Sequence, residues 1–228
     1  MNPSPTLTTA VPPASPRAAA SEWQRYVEDF DFLAFDGNAR VLDLGCGAGD
    51  QLEGLARRGV RGVGVDRNVG SVAECRRRGF PAIRAVGEAL PLRADSVDGV
   101  ICKVTIPYTH ERAVFGEIAR VLRTGGIARC AYIGAGYYLR YLLRGPSWKV
   151  RLYGLRTLVN TWVFVVTGRR HARGVGDTLY QSRRRLGRYY AENGLSCVED
   201  RPSKRFCGFP VFIYQTLRRS EPERGPAR

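Results

Sequence analysis

The chain has 228 residues, 44% of them hydrophobic and 25% charged, enough apolar content for one core-bearing domain with decorations. The six cysteines lie scattered with no C-x-x-C pair, which argues against a disulfide framework or a cysteine metal site and fits a reducing, cytoplasmic setting. The formal charge is +15 and most of it is local: residues 135–190 hold twelve Arg or Lys and one acid, Asp177, a field that draws anionic partners such as an acidic substrate, a membrane face or nucleic acid.

Residues 1–20 are rich in Pro, Ala, Ser and Thr and read as disordered. They lack the basic start and apolar stretch of a secretory signal. Ser21 and Gln24 have the spacing of a capping box, opening a helix with Trp23, Tyr26, Val27 and Phe30 on one face. The apolar run at 41–44 reads as a short buried strand, followed by glycines at 45, 47 and 49 and a helical pattern over 51–58. Strand, glycine turn and helix form the start of a nucleotide-type site in an open α/β sheet. Without Cβ atoms, Gly45 and Gly47 let the backbone turn sharply and approach a ligand. A dinucleotide fingerprint would need glycine where Asp50 stands, and no Gly-Lys-Ser/Thr ending marks a phosphate loop. Asp43, at the strand end, repels a polyanion and suits a cationic ligand carrying an amine.

At Asp43-Leu44-Gly45-Cys46-Gly47-Ala48-Gly49 the sequence resembles the first motif of the class I S-adenosylmethionine-dependent methyltransferases, in their type 11-like, small-molecule group. The resemblance implies an α/β fold: a Rossmann-like, seven-stranded, mostly parallel sheet with a C-terminal antiparallel hairpin. It implies S-adenosyl-L-methionine as cofactor, with Asp43, Gly45, Cys46 and Gly47 around it. A second strand over 60–66 ends in Asp66, about twenty residues beyond the first, where a carboxylate accepts both ribose hydroxyls of an adenosine. Arg67 then sits near the adenine. A helix through Val72 and Cys75 closes on Arg76, Arg77, Arg78 and Gly79, and a third strand covers 81–86. Gly87-Glu88-Ala89-Leu90-Pro91-Leu92 resembles the family's adenine-facing segment, but Val86 stands where many members carry an acid. Either Glu88 substitutes for that acid, or backbone groups around Gly87 read the base.

Residues 95–104 resemble the family's fourth strand, with Val97 for the usual Phe. Ligands in such sheets lie beyond the carboxyl ends of the strands, so the stretch from Cys102 and Lys103 to Tyr108 should face the methyl donor. Lys103 is unusual there, because an ammonium repels a sulfonium; it is expected to point toward the methionine carboxylate or an anionic substrate. His110 stands where many members carry a histidine that deprotonates the acceptor, and an imidazole titrating near neutrality suits a general base. Tyr108 is the second catalytic candidate. Val114, Phe115, Ile118, Val121 and Leu122 form the stripe of a helix over 112–122, stopped by Gly125 and Gly126 before a fifth strand at 127–133. Thr124 takes the place of the family's usual proline.

A helical insertion after the fifth strand, over 134–176, interrupts the family pattern. Leu152, Leu155, Val159, Trp162 and Val166 fall at spacings of three and four, the mark of an amphipathic helix, and the apolar run within it is far short of the ~20 residues of a membrane span. The helix is a lid, a wall of an apolar substrate pocket, or an element lying in a membrane interface. Inserts here cover the substrate side in the family, which makes Tyr137, Tyr138, Tyr141 and Trp148 pocket-wall candidates. A last helix over 182–194 and strands at 195–200 and 209–217 complete a domain of residues 21–219, and the tail 220–228 reads as loose. The implied function is O-, N- or C-methylation of a hydrophobic or amphipathic small molecule (natural product, quinone or lipid-like), without a metal. The basic insertion suggests peripheral membrane contact. The same charge keeps RNA as a rival acceptor, against which stands the lack of an RNA-binding module or an Asn/Asp-Pro-Pro-Tyr/Phe motif. A non-catalytic cofactor-binding protein is the third reading.

Overall fold

The computed structural model describes residues 30–168 and 178–220. The capping box at 21–24, Tyr26, the segment 1–20, the end of the insertion from residue 169 and the tail from 221 lie outside the described residues. Five parallel strands come first: β1 (Arg40–Leu44), β2 (Arg61–Asp66), β3 (Ala82–Arg84), β4 (Val97–Lys103) and β5 (Leu122–Ile133). Helices α1 (Asp50–Arg57), α2 (Val69–Arg77) and α3 (Glu111–Val121) lie in the connections β1–β2, β2–β3 and β4–β5. After β5 come α4 (Ala135–Arg144), α5 (Trp148–Thr167), α6 (Arg183–Glu192) and β6 (Leu195–Pro202). A small ladder of β7 (Arg205–Phe206) and β8 (Phe209–Pro210) precedes β9 (Phe212–Arg219). The large sheet has the order β3-β2-β1-β4-β5-β9-β6, with β9 antiparallel to both neighbours. It is a Rossmann-like seven-stranded sheet with a C-terminal antiparallel hairpin and a helical insertion after the fifth strand.

The insertion holds two helices where the spacing showed one. Pro146 cannot continue the ladder of α4, and Ser147 restarts the chain as the cap of α5, its Oγ accepting the Val150 N–H at 3.4 Å. The helix expected to reach 122 stops at Val121, because Leu122 is extended (φ −64°, ψ 141°) and pairs with Val97. The fifth strand therefore starts before the two glycines instead of after them. The third strand shrinks to Ala82–Arg84, and the β7–β8 ladder was not anticipated.

Central parallel strands are covered on both faces, so consecutive residues feed two cores. Leu42, Leu44, Val100 and Cys102 pack with Phe115 of α3 and Leu186 of α6. Val41 and Ile101 pack on the other side with Leu52 and Leu55 of α1, Cys75 of α2 and Phe212 of β9. This alternation sorts the strand ends. Asp43 pairs with Ile101, so Lys103, two residues on, is its diagonal neighbour on the same face, and Cys102 is on the opposite one.

A buried ion pair ties α6 to α3. Arg185 Nε and Nη2 donate to the two Glu111 carboxylate oxygens at 2.8 and 2.9 Å, with 4% and 1% of the two side chains exposed. Gln181 Nε2 donates to the same carboxylate at 3.0 Å, and the guanidinium lies 5.6 Å from the Phe164 ring centroid of α5. Removing one partner of such a pair leaves a buried uncompensated charge and costs about 3–5 kcal/mol. Arg185→Met is expected to lower the unfolding free energy by about that amount in urea titrations. The double variant Arg185→Met/Glu111→Gln should recover part of the loss.

Candidate functional site: a crevice at the switch between β1 and β4

A crevice of about 1220 Å³ opens beyond the carboxyl ends of β1, β2 and β4. The strand order reverses between β1 and β4, which is where open α/β sheets bind ligands. One part of the wall carries Gly45, Asp66, Arg67, Gly87 and Glu88; another carries Tyr108, Thr109, Glu111, Phe164 and Tyr189.

The turn after β1 builds the first part. Gly45 takes φ +79°, and its N–H donates to Val65 O at 2.7 Å. A Cβ there would lie 2.0 Å from Thr105 Oγ1, which itself donates to Leu44 O at 3.0 Å. Gly47 donates its N–H to Asp66 Oδ2 at 3.0 Å, and Asp66 Oδ1 accepts the Asn68 N–H at 2.8 Å. A carboxylate has about four lone-pair positions, so Asp66 retains acceptors toward the crevice it lines.

Asp43 lies one residue below Leu44, off the crevice wall itself. Its side chain is 2% exposed and its Oδ2 has no hydrogen-bond partner. Burial pushes its carboxyl up to about 7; Lys103 pulls against this, while Asp66 and Asp50 add to it. Lys103 lines the crevice with its Nζ 5.5 Å from the Phe32 ring centroid. Burial lowers the pKa of its ammonium, opposed by the Asp43 carboxylate.

Two cysteines are placed differently from expectation. The Cys46 thiol turns away from the crevice and lies buried 3.7 Å from the Cys75 thiol of α2, so only its backbone belongs to the turn. Cys102 has no exposed surface and packs under α3, because the two-residue period of β4 sends Lys103, not Cys102, to the crevice side.

His110 is exposed on the crevice wall, just before α3, and its backbone N–H donates to Glu88 Oε1 at 2.7 Å. Tyr108 is also on the wall; burial first, and then the neighbouring Tyr153, push its phenol up. A phenol that keeps its proton at neutral pH is a hydrogen-bond donor, not a base. The four aromatic candidates of the insertion are not on the crevice wall. Tyr138 is fully buried, Trp148 is 69% exposed, and the hydroxyls of Tyr137 and Tyr141 hydrogen-bond each other. Glu111, Phe164 and Tyr189 line the crevice instead and were missed, while Thr105 lies in the stretch expected to face it. Phe164 falls outside the three-and-four spacing of the apolar stripe, the only sign that it serves a different surface.

Residues 42–130, from β1 into β5, match the family model described as "Methyltransferase domain". Over this stretch the chain is similar to the class I S-adenosylmethionine-dependent methyltransferases. S-adenosylmethionine is the cofactor of this family. A ubiquinone biosynthesis O-methyltransferase of Hahella chejuensis is 33% identical to this chain over 131 residues, 48% of this chain and 55% of that protein. The tRNA (carboxymethyluridine(34)-5-O)-methyltransferase ALKBH8 of Mus musculus is 39% identical over 113 residues, 47% of this chain and 16% of that protein. The chain thus spans about half of the first relative's length and far less of the second's. A SAM-dependent methyltransferase structure from Methanosarcina mazei shares the fold with a TM-score of 0.62 at 14% identity, covering 82% of this chain and 95% of that one. Among the described residues no group of three or more His, Cys, Asp or Glu is placed to hold a metal ion.

The site fits a cationic nucleoside. A buried carboxylate oxygen without a donor is costly unless a partner reaches it, and Asp43 Oδ2 is such an atom beside the glycine turn. Between the ordinary carboxylate range and about pH 7 the folded protein holds the Asp43 proton while the unfolded chain has lost it. Ligand-free stability therefore falls as pH rises through that window. Above it the carboxylate is ionised and attracts an amine. Calorimetry should show S-adenosylmethionine binding more tightly at about pH 7.5 than at about pH 6 in the parent, and Asp43→Asn should flatten both dependences.

Proposed function

We propose that this chain transfers a methyl group from S-adenosylmethionine to an O, N or C atom of a hydrophobic or amphipathic small molecule, such as a natural product, quinone or lipid-like compound. The observation that supports this most is the size of the crevice and its mixture of polar and aromatic lining. Sites for one small molecule run to about 300–1,000 Å³, and this one holds about 1220 Å³, room for a donor and an acceptor side by side. Gly45, Asp66, Arg67, Gly87 and Glu88 are the residues that would hold the donor, with Asp43 ionised behind them. Tyr108, Phe164 and Tyr189 would wall the acceptor.

When bound, the cofactor supplies an electrophilic methyl group on a sulfonium. The protein's part is alignment and proton handling. Holding two reactants in attack geometry is worth about 7–11 kcal/mol of barrier. His110 is the group assigned to take the acceptor proton, a contribution of about 10²–10⁴-fold. Glu88 steadies it through the backbone bond at 2.7 Å. Tyr108, protonated, donates a hydrogen bond to the acceptor or its leaving proton's neighbour, and the aromatic rings exclude water from that part of the crevice.

A second reading, RNA methylation, has its own support in the charge of +15 and in the likeness to the mouse tRNA enzyme. Methyl-labelled S-adenosylmethionine offered with a lipid and metabolite extract, or with total RNA, separates the two. Label is expected in the organic-soluble fraction. Label in RNA, with binding that weakens steeply as salt rises, would replace the small-molecule reading. Cofactor binding without label in either fraction would leave a non-catalytic binding protein. His110→Ala is expected to lower turnover about 10²-fold or more while cofactor affinity stays near that of the parent, and a parental rate would remove His110 from the chemistry.

A further inference from the structure

Helix α5 is packed inside out. Its buried residues are small or polar: Gly154, Thr157, Asn160 and Thr161. Asn160 Nδ2 donates to Thr178 O at 3.1 Å, and Thr161 Oγ1 accepts the Tyr180 N–H at 3.1 Å. Gly154 lets α4 approach, since a Cβ there would stand 2.7 Å from Tyr138 O. The large apolar residues face solvent instead. Trp148, Leu152, Leu155, Val159, Trp162 and Val166 are between 44% and 69% exposed. Their spacing of three and four makes one unbroken stripe along a 20-residue helix about 30 Å long. A surface helix of a water-soluble protein shows the reverse arrangement, and an exposed apolar patch of this extent marks a docking surface.

We infer that this stripe docks on an anionic lipid surface, with α5 lying in the plane of the membrane interface. The choice of occupant rests on charge. Residues 135–167 carry Arg140, Arg144, Lys149, Arg151 and Arg156 and no acid. At about 100° per residue, Arg151 falls on one shoulder of the stripe and Lys149 and Arg156 on the other. Basic side chains there lay their stems along the apolar surface and reach lipid phosphates with their heads. Trp148 and Trp162 suit the headgroup level, where an indole keeps an apolar body and a polar edge. The same cations oppose a second copy, because two stripes laid face to face would bring both basic borders together. Among the described residues no helix is long and apolar enough to cross a membrane, so α5 lies on the bilayer.

Phe164, on the opposite side of α5, lines the crevice. Docking therefore leaves the crevice about 10 Å, one helix diameter, from the lipid surface, where an amphipathic molecule is concentrated. The inference does not depend on methyl transfer, and its test needs no cofactor.

The full chain is floated with vesicles of phosphatidylcholine alone or mixed with phosphatidylglycerol. Tryptophan emission is followed in parallel, since two of the chain's three tryptophans lie on the stripe. The expected result is binding to the mixed vesicles with a blue shift, much weaker binding to phosphatidylcholine alone, and loss of binding as salt rises. Leu152→Ser/Val159→Ser/Trp162→Ser should lower partitioning by about tenfold or more with an unchanged circular dichroism spectrum and melting midpoint. Lys149→Gln/Arg151→Gln/Arg156→Gln should weaken binding to the anionic vesicles only. Three results would overturn the inference: no flotation with either vesicle, equal flotation of the stripe variant, or a concentration-dependent dimer that the stripe substitutions abolish. The last would assign the stripe to a second copy of this chain.

Discussion

The backbone of β1 passes so close to Thr105 at Gly45 that a single added methyl group would overlap the threonine hydroxyl. That contact pins the end of β1 to the end of β4, because the same hydroxyl donates to Leu44 O. The N–H groups of Gly45 and Cys46 both donate to Val65 O, at 2.7 and 3.2 Å, and tie the turn to β2 as well. Three strand ends thus meet at one turn, and the Gly47–Asp66 bond closes it. The position of every polar group on that side of the crevice follows. Asp66 is held by two backbone donors before any ligand arrives, so its orientation is set in advance and little ordering is left for binding to do.

Two buried carboxylates flank this frame and behave differently. Glu111 is compensated by Arg185 and Gln181, and it sits in the first turn of α3, where the helix dipole also favours a negative charge. Its role is mechanical: through Arg185, which also stacks near Phe164, it joins α3, α6 and α5 around the aromatic part of the crevice. Asp43 has no such compensation. Lys103 is its diagonal neighbour, but the carboxyl still rises to about 7 because burial outweighs that attraction. One carboxylate stabilises the architecture, and the other stores an unmet demand for positive charge beneath the glycine turn.

Features written in local patterns were legible in the sequence: the strand, glycine turn and helix over 41–58, the acid at 66, and the order of elements through the closing hairpin. Each depends on residues within a few positions of one another. What depended on distant partners was not legible. Glu111 and Arg185 stand 74 positions apart, and nothing in either neighbourhood announces the other. The side to which Cys102 turns was hidden because its strand is apolar on both faces, which leaves no alternation to set the phase. Helix α4 is amphipathic in its own right and was passed over because its tyrosines were read only as pocket walls. In α5 the spacing of Leu152, Leu155, Val159 and Trp162 gave the stripe but not its direction. Amphipathicity says that a helix has two unlike faces, and only packing says which of them the rest of the chain has taken.

The order of the sheet carries a kinetic consequence. Strand β5 lies between β4 and β9, and Ile133 pairs with Phe212 across an intervening stretch that includes three helices and β6. The β9 side of β5 has no strand partner until residues 212–219 have been made. Ala131, Tyr132 and Ile133 are nearly or fully buried in the finished sheet, so for that interval an apolar strand edge is open to pairing with any passing chain. The long separation between the two halves of one ladder leaves this edge open to mispairing until β9 reaches it.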